Sequence, residues 1–209
     1  MPRVVDKQEK AERIGAAAIG VLRQLGYHRA RMQDIARAAG VGKGTLYEYF
    51  RNKGEIFRFE FERYFEAFEA GAERTMAEAA SPGAQLLALV RFAFEHVSEW
   101  EDHCAVYVDY FGSARPEGDD AFSLAPVYGA IQARIRLLVE SAQAAGEVAA
   151  DVDPDATSEL LVSMFDGVVL HGIFAKRSDT AALRDTALRL LEHGMIAPRG
   201  PAPASEQGS

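Results

Sequence analysis

An all-α fold is predicted by three observations. Apolar residues recur at i, i+3 and i+4 along most of the chain, while the only alternating runs, VVDK and GEVAADV, are too short for strands. Helix punctuation by Gly, Ser-Pro and Asp-Pro falls at helical intervals. Ile14, Ala17, Ala18, Val21, Leu22 and Leu25 define a first helix over residues 7–25, which Gly26 ends. Ile35, Ala36 and Ala39 sit at helical spacing, Gly40 can take the positive φ that stops a helix, and Leu46 and Phe50 repeat at i, i+4 on the next one. Two short helices joined at a glycine form a helix-turn-helix pattern. A long helix from residue 53 carries Ile56, Phe57, Phe61, Tyr64, Phe65 and Phe68, with Glu60, Glu62, Arg63 and Glu66 between them. Ser81-Pro82 opens a helix through Leu86, Leu89, Val90, Phe94 and Val97; residues 104–111 and 127–145 follow, separated by the breaker-rich SARPEGDD. Asp153-Pro154 and Asp179 open two more, near residues 154–175 and 179–194. The expected division is a head at 1–53, a helical body at 54–196 and a Pro-, Gly- and Ser-rich disordered tail at 197–209.

Composition narrows the function. With 209 residues, 48% hydrophobic and 26% charged, the chain belongs with soluble globular proteins. It has no run of 18 or more apolar residues and its N-terminus is charged, so a cytoplasmic protein without a membrane partner is expected. Cys104 is the only cysteine, which rules out an intrachain disulfide, a cysteine zinc cluster or a redox pair. The net charge of −8 divides unevenly. Residues 1–53 hold 11 Lys and Arg against 5 Asp and Glu, whereas the remainder holds 12 against 26. A basic head can neutralise phosphates while an acidic body is repelled from a duplex, so the expected partner is double-stranded DNA.

The second short helix carries the reading chemistry. Lys43 places a cation and backbone N–H groups near phosphate, and Gly44 permits close approach. Thr45 can meet a base edge or a thymine methyl, and Tyr47 and Tyr49 can donate to phosphates. Lys53 is expected as a further phosphate ligand. Glu48 suits DNA only if it accepts from a cytosine amino group or pairs with Arg51.

These residues resemble the TetR/AcrR family of bacterial one-component repressors. Asp34, Ile35, Ala36, Ala39, Gly40, Val41, Lys43, Gly44, Leu46, Tyr47, Phe50 and Lys53 fill its signature at fixed spacing over the first quarter of the chain. Two departures stand out. Ala30, Arg31 and Met32 replace the usual Thr or Ser before Asp34, so Arg31 would have to supply the phosphate contact, and Gly42 replaces the Ser or Thr that opens the reading helix.

The resemblance implies a homodimer on a palindromic operator, joined through the last two helices as a four-helix bundle, with Leu161, Phe165, Val168 and Val169 at the interface. It also implies a body pocket for a small, mostly apolar effector. Phe61, Phe65, Phe68, Phe92, His96, Trp100, His103, Tyr107, Tyr110, Phe111, Tyr128 and Phe165 are the candidate lining. His96, His103, Cys104 and His171 have no clean chelating spacing, so neither a metal nor another cofactor is expected. No glycine-rich phosphate loop or nucleophile elbow occurs, which favours a ligand-responsive repressor over an enzyme. The rivals are a regulator of this fold without a small effector or under a protein partner, and an all-helical enzyme that kept the head.

Overall fold

The computed structural model describes residues 3–112, 123–175 and 180–196. Among them the elements are α1 (Arg3–Leu25), α2 (Met32–Ala38), α3 (Lys43–Tyr49), α4 (Lys53–Ala77), α5 (Pro82–Glu95), α6 (Val97–Gly112), α7 (Ala125–Ala144), α8 (Pro154–Ala175) and α9 (Ala181–Leu191), followed by a π-helical turn at Glu192–Ile196. No strand occurs among the described residues. SARPEGDD, Asp179 and the tail lie outside the described residues.

Local chemistry sets the boundaries. Gly26 and Gly40 have φ of 80° and 65°, the left-handed conformation that closes a helix. At Gly40 the closure is a Schellman motif: Val41 N–H donates to the Ala36 carbonyl at 3.0 Å and Gly40 N–H to that of Arg37 at 3.2 Å. Ser81 Oγ accepts from Ala84 N–H at 3.3 Å, and Asp153 Oδ1 from Asp155 and Ala156 at 2.9 and 3.2 Å, capping α5 and α8 as their sequences predict. α1 begins at Arg3 rather than near residue 7, and the larger departure lies between α5 and α6. α5 stops at Glu95, and α6 already begins at Val97 rather than at Cys104, with Trp100 N–H bonded to the His96 carbonyl at 3.2 Å. The apolar period runs through this break unchanged, so periodicity alone cannot see it.

The chain forms two compact units, Met1–Ala70 with His96–Leu124 and Val169–Arg177, and Gly71–Glu95 with Ala125–Val168 and Ser178–Ser209. In the first, Ile14, Ala18, Ile35, Ala36, Ala39, Leu46, Phe50 and Ile56 form the core of the helix-turn-helix. Small Ala36 and Ala39 allow close packing of the short helices, and Leu46 and Phe50 fix the reading helix against them. Behind this core Glu60 is 4% exposed and accepts two hydrogen bonds from Arg63, at 2.6 and 3.0 Å. Gly15 on α1 makes room for it, since a Cβ there would lie 2.6 Å from Glu60 Oε2. In the second unit Leu86, Ile135, Val139, Leu161 and Val162 join α5, α7 and α8, while Val90, Phe94, Ala187 and Leu188 seat α9 on α5.

Candidate DNA-reading and effector sites

The reading helix is built from its buried side outward. Leu46 is fully buried, and Lys43, Gly44, Tyr47 and Glu48 are exposed on the opposite side, with Thr45 and Tyr49 half-buried beside them. Lys43 Nζ lies 5.9 Å from the Tyr47 ring centroid, and Lys7 on α1 sits equally far from the Tyr49 ring. Gly42 is the extended N-cap, with φ −68° and no side chain to cap the helix, which leaves the first N–H groups of α3 without a side-chain acceptor. Gly44 has nothing within 4 Å of where a Cβ would stand. A helical glycine costs about 1 kcal/mol, and here no contact within the protein requires it. At the start of α2, exposed Arg31 cannot act as a hydroxyl cap; instead the Asp34 carboxylate accepts from the Arg31 backbone N–H at 3.1 Å.

Lys53 departs from the expected role. Its ammonium donates to the backbone carbonyls of Tyr27, His28 and Ala30, the latter two at 3.4 and 3.2 Å, and lies 4.5 Å from the Tyr27 ring centroid. All three donors are engaged within the protein, so none is left for a phosphate. Burial lowers its pKa, opposed by the charge of Asp109. Asp109 on α6 also accepts the Tyr27 backbone N–H. Lys43→Ala is therefore expected to weaken binding to all DNA sequences and to reduce the salt slope by about one. Lys53→Met should instead leave the slope unchanged and lower stability by about 1–2 kcal/mol, because three carbonyls, two of them partly buried, lose their donor; salt-dependent binding and urea titrations separate the two.

In the same unit α4 and α6 assemble an aromatic cluster. Trp100 has Phe61, Tyr64, Phe65 and Phe68 at centroid distances of 5.7, 5.6, 6.2 and 5.7 Å. Phe68 meets His96 edge-on at 6.2 Å, and Tyr110 packs against Tyr27 at 4.7 Å and Phe57 at 6.5 Å. His103 stacks on Tyr64 at 4.1 Å with 18° between the planes. Its Nδ1 lies 3.0 Å from the Glu99 carbonyl, which can only accept, so that nitrogen carries the proton. His103 Nε2 and the Tyr64 hydroxyl are both buried without a hydrogen-bond partner. Burial is the main cause that lowers the His103 pKa, and burial raises those of Tyr64 and Tyr107.

Tyr64 was absent from the sequence candidates, although it shares one helix face with Phe57, Phe61 and Phe68; that shared face was the available signal. Three candidates pack within the second unit. Phe92 lies so close to Gly71 that a Cβ there would be 2.5 Å from its ring, Tyr128 bonds the half-buried Asp166, and the Phe165 ring stands 6.2 Å from that of Phe94. The Phe111 side chain is outside the described residues.

α8 also differs from expectation. Leu161 and Val169, expected at a subunit interface, are 6% and 2% exposed inside the protomer, and half-buried Val168 packs beside Val90 and Phe94. The residues left open include Leu160, Ser163, Gly167, Leu170, His171 and Phe174, with Leu160 68% and Phe174 74% exposed. On α9, Leu190 is 68% exposed. α8 is long and apolar enough to cross a membrane by length and composition, yet only 28% of its most apolar window is buried.

Comparison with known proteins places this architecture. Residues 14–58 match the family model of bacterial regulatory proteins of the tetR family, and residues 82–195 that of the BetI-type transcriptional repressor, C-terminal. The transcriptional regulator AcuR of Cereibacter sphaeroides is 30% identical over 166 residues, covering 78% of this chain and 76% of AcuR. The fatty acid degradation regulator FadR from Bacillus halodurans shares the fold with a TM-score of 0.76 at 25% identity, over 88% of this chain and 95% of FadR. FadR from Bacillus subtilis, in complex with stearoyl-CoA, gives 0.72 at 23% identity, over 87% and 97%. All of these are regulators. With family models spanning the reading head and most of the body, the chain belongs to the TetR family and is a DNA-binding transcriptional regulator.

Proposed function

We propose that this protein is a cytoplasmic, homodimeric repressor whose grip on a palindromic operator is released by a small, mostly apolar effector, and that it acts by binding, without catalysis. The head extends to Lys53, residues 54–196 form the effector and dimerisation body, and Arg31, Gly42, Lys43, Gly44, Thr45, Tyr47, Glu48 and Tyr49 face the duplex. The observation that carries the effector reading is the aromatic cluster around Trp100, which belongs to the same compact unit as the reading helix and contains buried polar atoms that no protein group satisfies. The stearoyl chain of the stearoyl-CoA bound by the Bacillus subtilis relative supports a ligand with a long apolar part.

The dimer reading rests on the open face of α8. Leu160, Ser163, Gly167, Leu170 and Phe174 repeat at alternating intervals of three and four, the period of packed helix bundles. A second copy covers this stripe, which explains an apolar helix largely unburied in one protomer. Each dimer then presents two reading helices to half-sites about one turn, roughly 34 Å, apart.

Release follows from α4. It begins beside the reading helix and carries Phe57, Phe61, Tyr64 and Phe68 into the cluster, so a ligand that favours another setting of α4 changes the separation of the two heads. A coupling of about 1–3 kcal/mol lowers operator affinity five- to about hundredfold. Operator DNA must weaken effector binding by the same factor. Titrating an effector with and without saturating operator checks this, and an affinity untouched by DNA would leave the switch without support.

A further inference from the structure

The stacked pair Tyr64 and His103 defines what kind of polar group the ligand must carry. His103 is buried and spends its Nδ1 proton on Glu99, so its Nε2 is a bare acceptor in need of a donor. Tyr64 is the converse. Its hydroxyl is buried with nothing to receive its proton. Such orphaned atoms cost roughly 1–3 kcal/mol each in a closed core, and they belong to two rings stacked at 4.1 Å within a wall of Phe61, Phe68 and Trp100. A hydroxyl is the smallest group that donates once and accepts as well. An ionised carboxylate cannot donate to Nε2. It would also enter the field of Glu60, Glu99 and Asp102, where Arg63 pairs with Glu60 and Arg23 with Asp102 but, among the described residues, no cation offsets a further carboxylate beside Glu99.

Building on the effector reading above, we propose that the effector is a neutral, largely apolar molecule bearing a hydroxyl at its buried end, with the O–H donating to His103 Nε2 and the oxygen accepting from the Tyr64 hydroxyl. The protein carries its own reporter. Trp100 is the only tryptophan and lies against the Tyr64 ring, so its fluorescence reads occupancy directly.

The test titrates the full-length protein with nonanol, nonyl methyl ether and nonanoate, following Trp100 emission. The ether keeps an acceptor oxygen but lacks the donor, and nonanoate carries charge. Nonanol is expected to bind about tenfold tighter than the ether and tighter still than nonanoate, since a site built for a hydroxyl rejects analogues that leave its groups unpaired. Tyr64→Phe should reduce nonanol affinity about fivefold while leaving the ligand-free protein as stable as wild type or more so in urea, because it deletes an unpartnered buried hydroxyl. Equal binding of alcohol and ether, or a Tyr64→Phe variant that binds nonanol as wild type does, would mean that ordered water satisfies the two atoms; the inference is then overturned while an apolar effector site survives. Tightest binding by nonanoate overturns the neutral class. If none of the three alters Trp100 emission, the cluster is packing, and the effector reading at this place falls with the inference.

Discussion

Glutamate at both Leu160 and Phe174 is expected to leave the protein monomeric and to remove binding to a full palindrome at concentrations that saturate it with wild type. Both side chains are open in the protomer, so the substitutions cost little before association. In the dimer, covering a large apolar side chain contributes about 1.5–3 kcal/mol, and each change is present twice. A carboxylate in the dry interface adds a desolvation cost of several kcal/mol. The sum exceeds what most dimers can lose. Sedimentation velocity reads the assembly, and a half-site duplex should retain the weak binding of one head. Leu161→Glu is the contrast: inside the α5–α7–α8 core it should unfold the protomer instead. A double variant that still sediments as a dimer of unchanged strength would move the interface off this face of α8.

Arg63→Ala should cost more stability than Glu60→Gln, about 2–3 kcal/mol against about 1. The pair is asymmetric: the Glu60 side chain is 5% exposed, that of Arg63 42%. Removing arginine strands a buried carboxylate without either of its charged hydrogen bonds, the costly way to break a buried pair. Removing the charge from residue 60 leaves a guanidinium that water still reaches, so only a modest interaction is lost. Chemical denaturation of both variants checks the order. Equal losses would mean that the site relaxes enough to hydrate Glu60. Gly15→Ala strikes the same place from α1.

Much of this arrangement was legible. The spacing of Ile35, Ala36, Ala39, Leu46 and Phe50 names the core of the head because short amphipathic helices have one apolar face and must bury it. Gly26 and Gly40 end helices where expected because an L side chain is strained there. The failures have physical causes as well. α8 is apolar around most of its circumference, so its pattern cannot say whether Leu160 or Leu161 points inward; only the positions of α5, α7 and α9 decide. Lys53 fits a DNA-binding signature by sequence, but its role depends on three carbonyls that lie 23 to 26 residues earlier in the chain. Glu60 reads as one charge on a polar stripe, and its burial follows from the missing Cβ of Gly15, which no periodicity records.

The grip of Lys53 bears on how the protein opens. The connector between α1 and α2 has no regular structure, and such segments ordinarily fray and exchange their amide protons freely. Here Lys53 gathers the carbonyls of Tyr27, His28 and Ala30, Asp109 takes the Tyr27 amide, and the Gly26 carbonyl takes that of Ala30 at 3.1 Å. Three stretches of chain remote in sequence are thereby fused into one cooperative opening unit, whose amides become labile together, when α4 lets go, and not one by one from a loose loop.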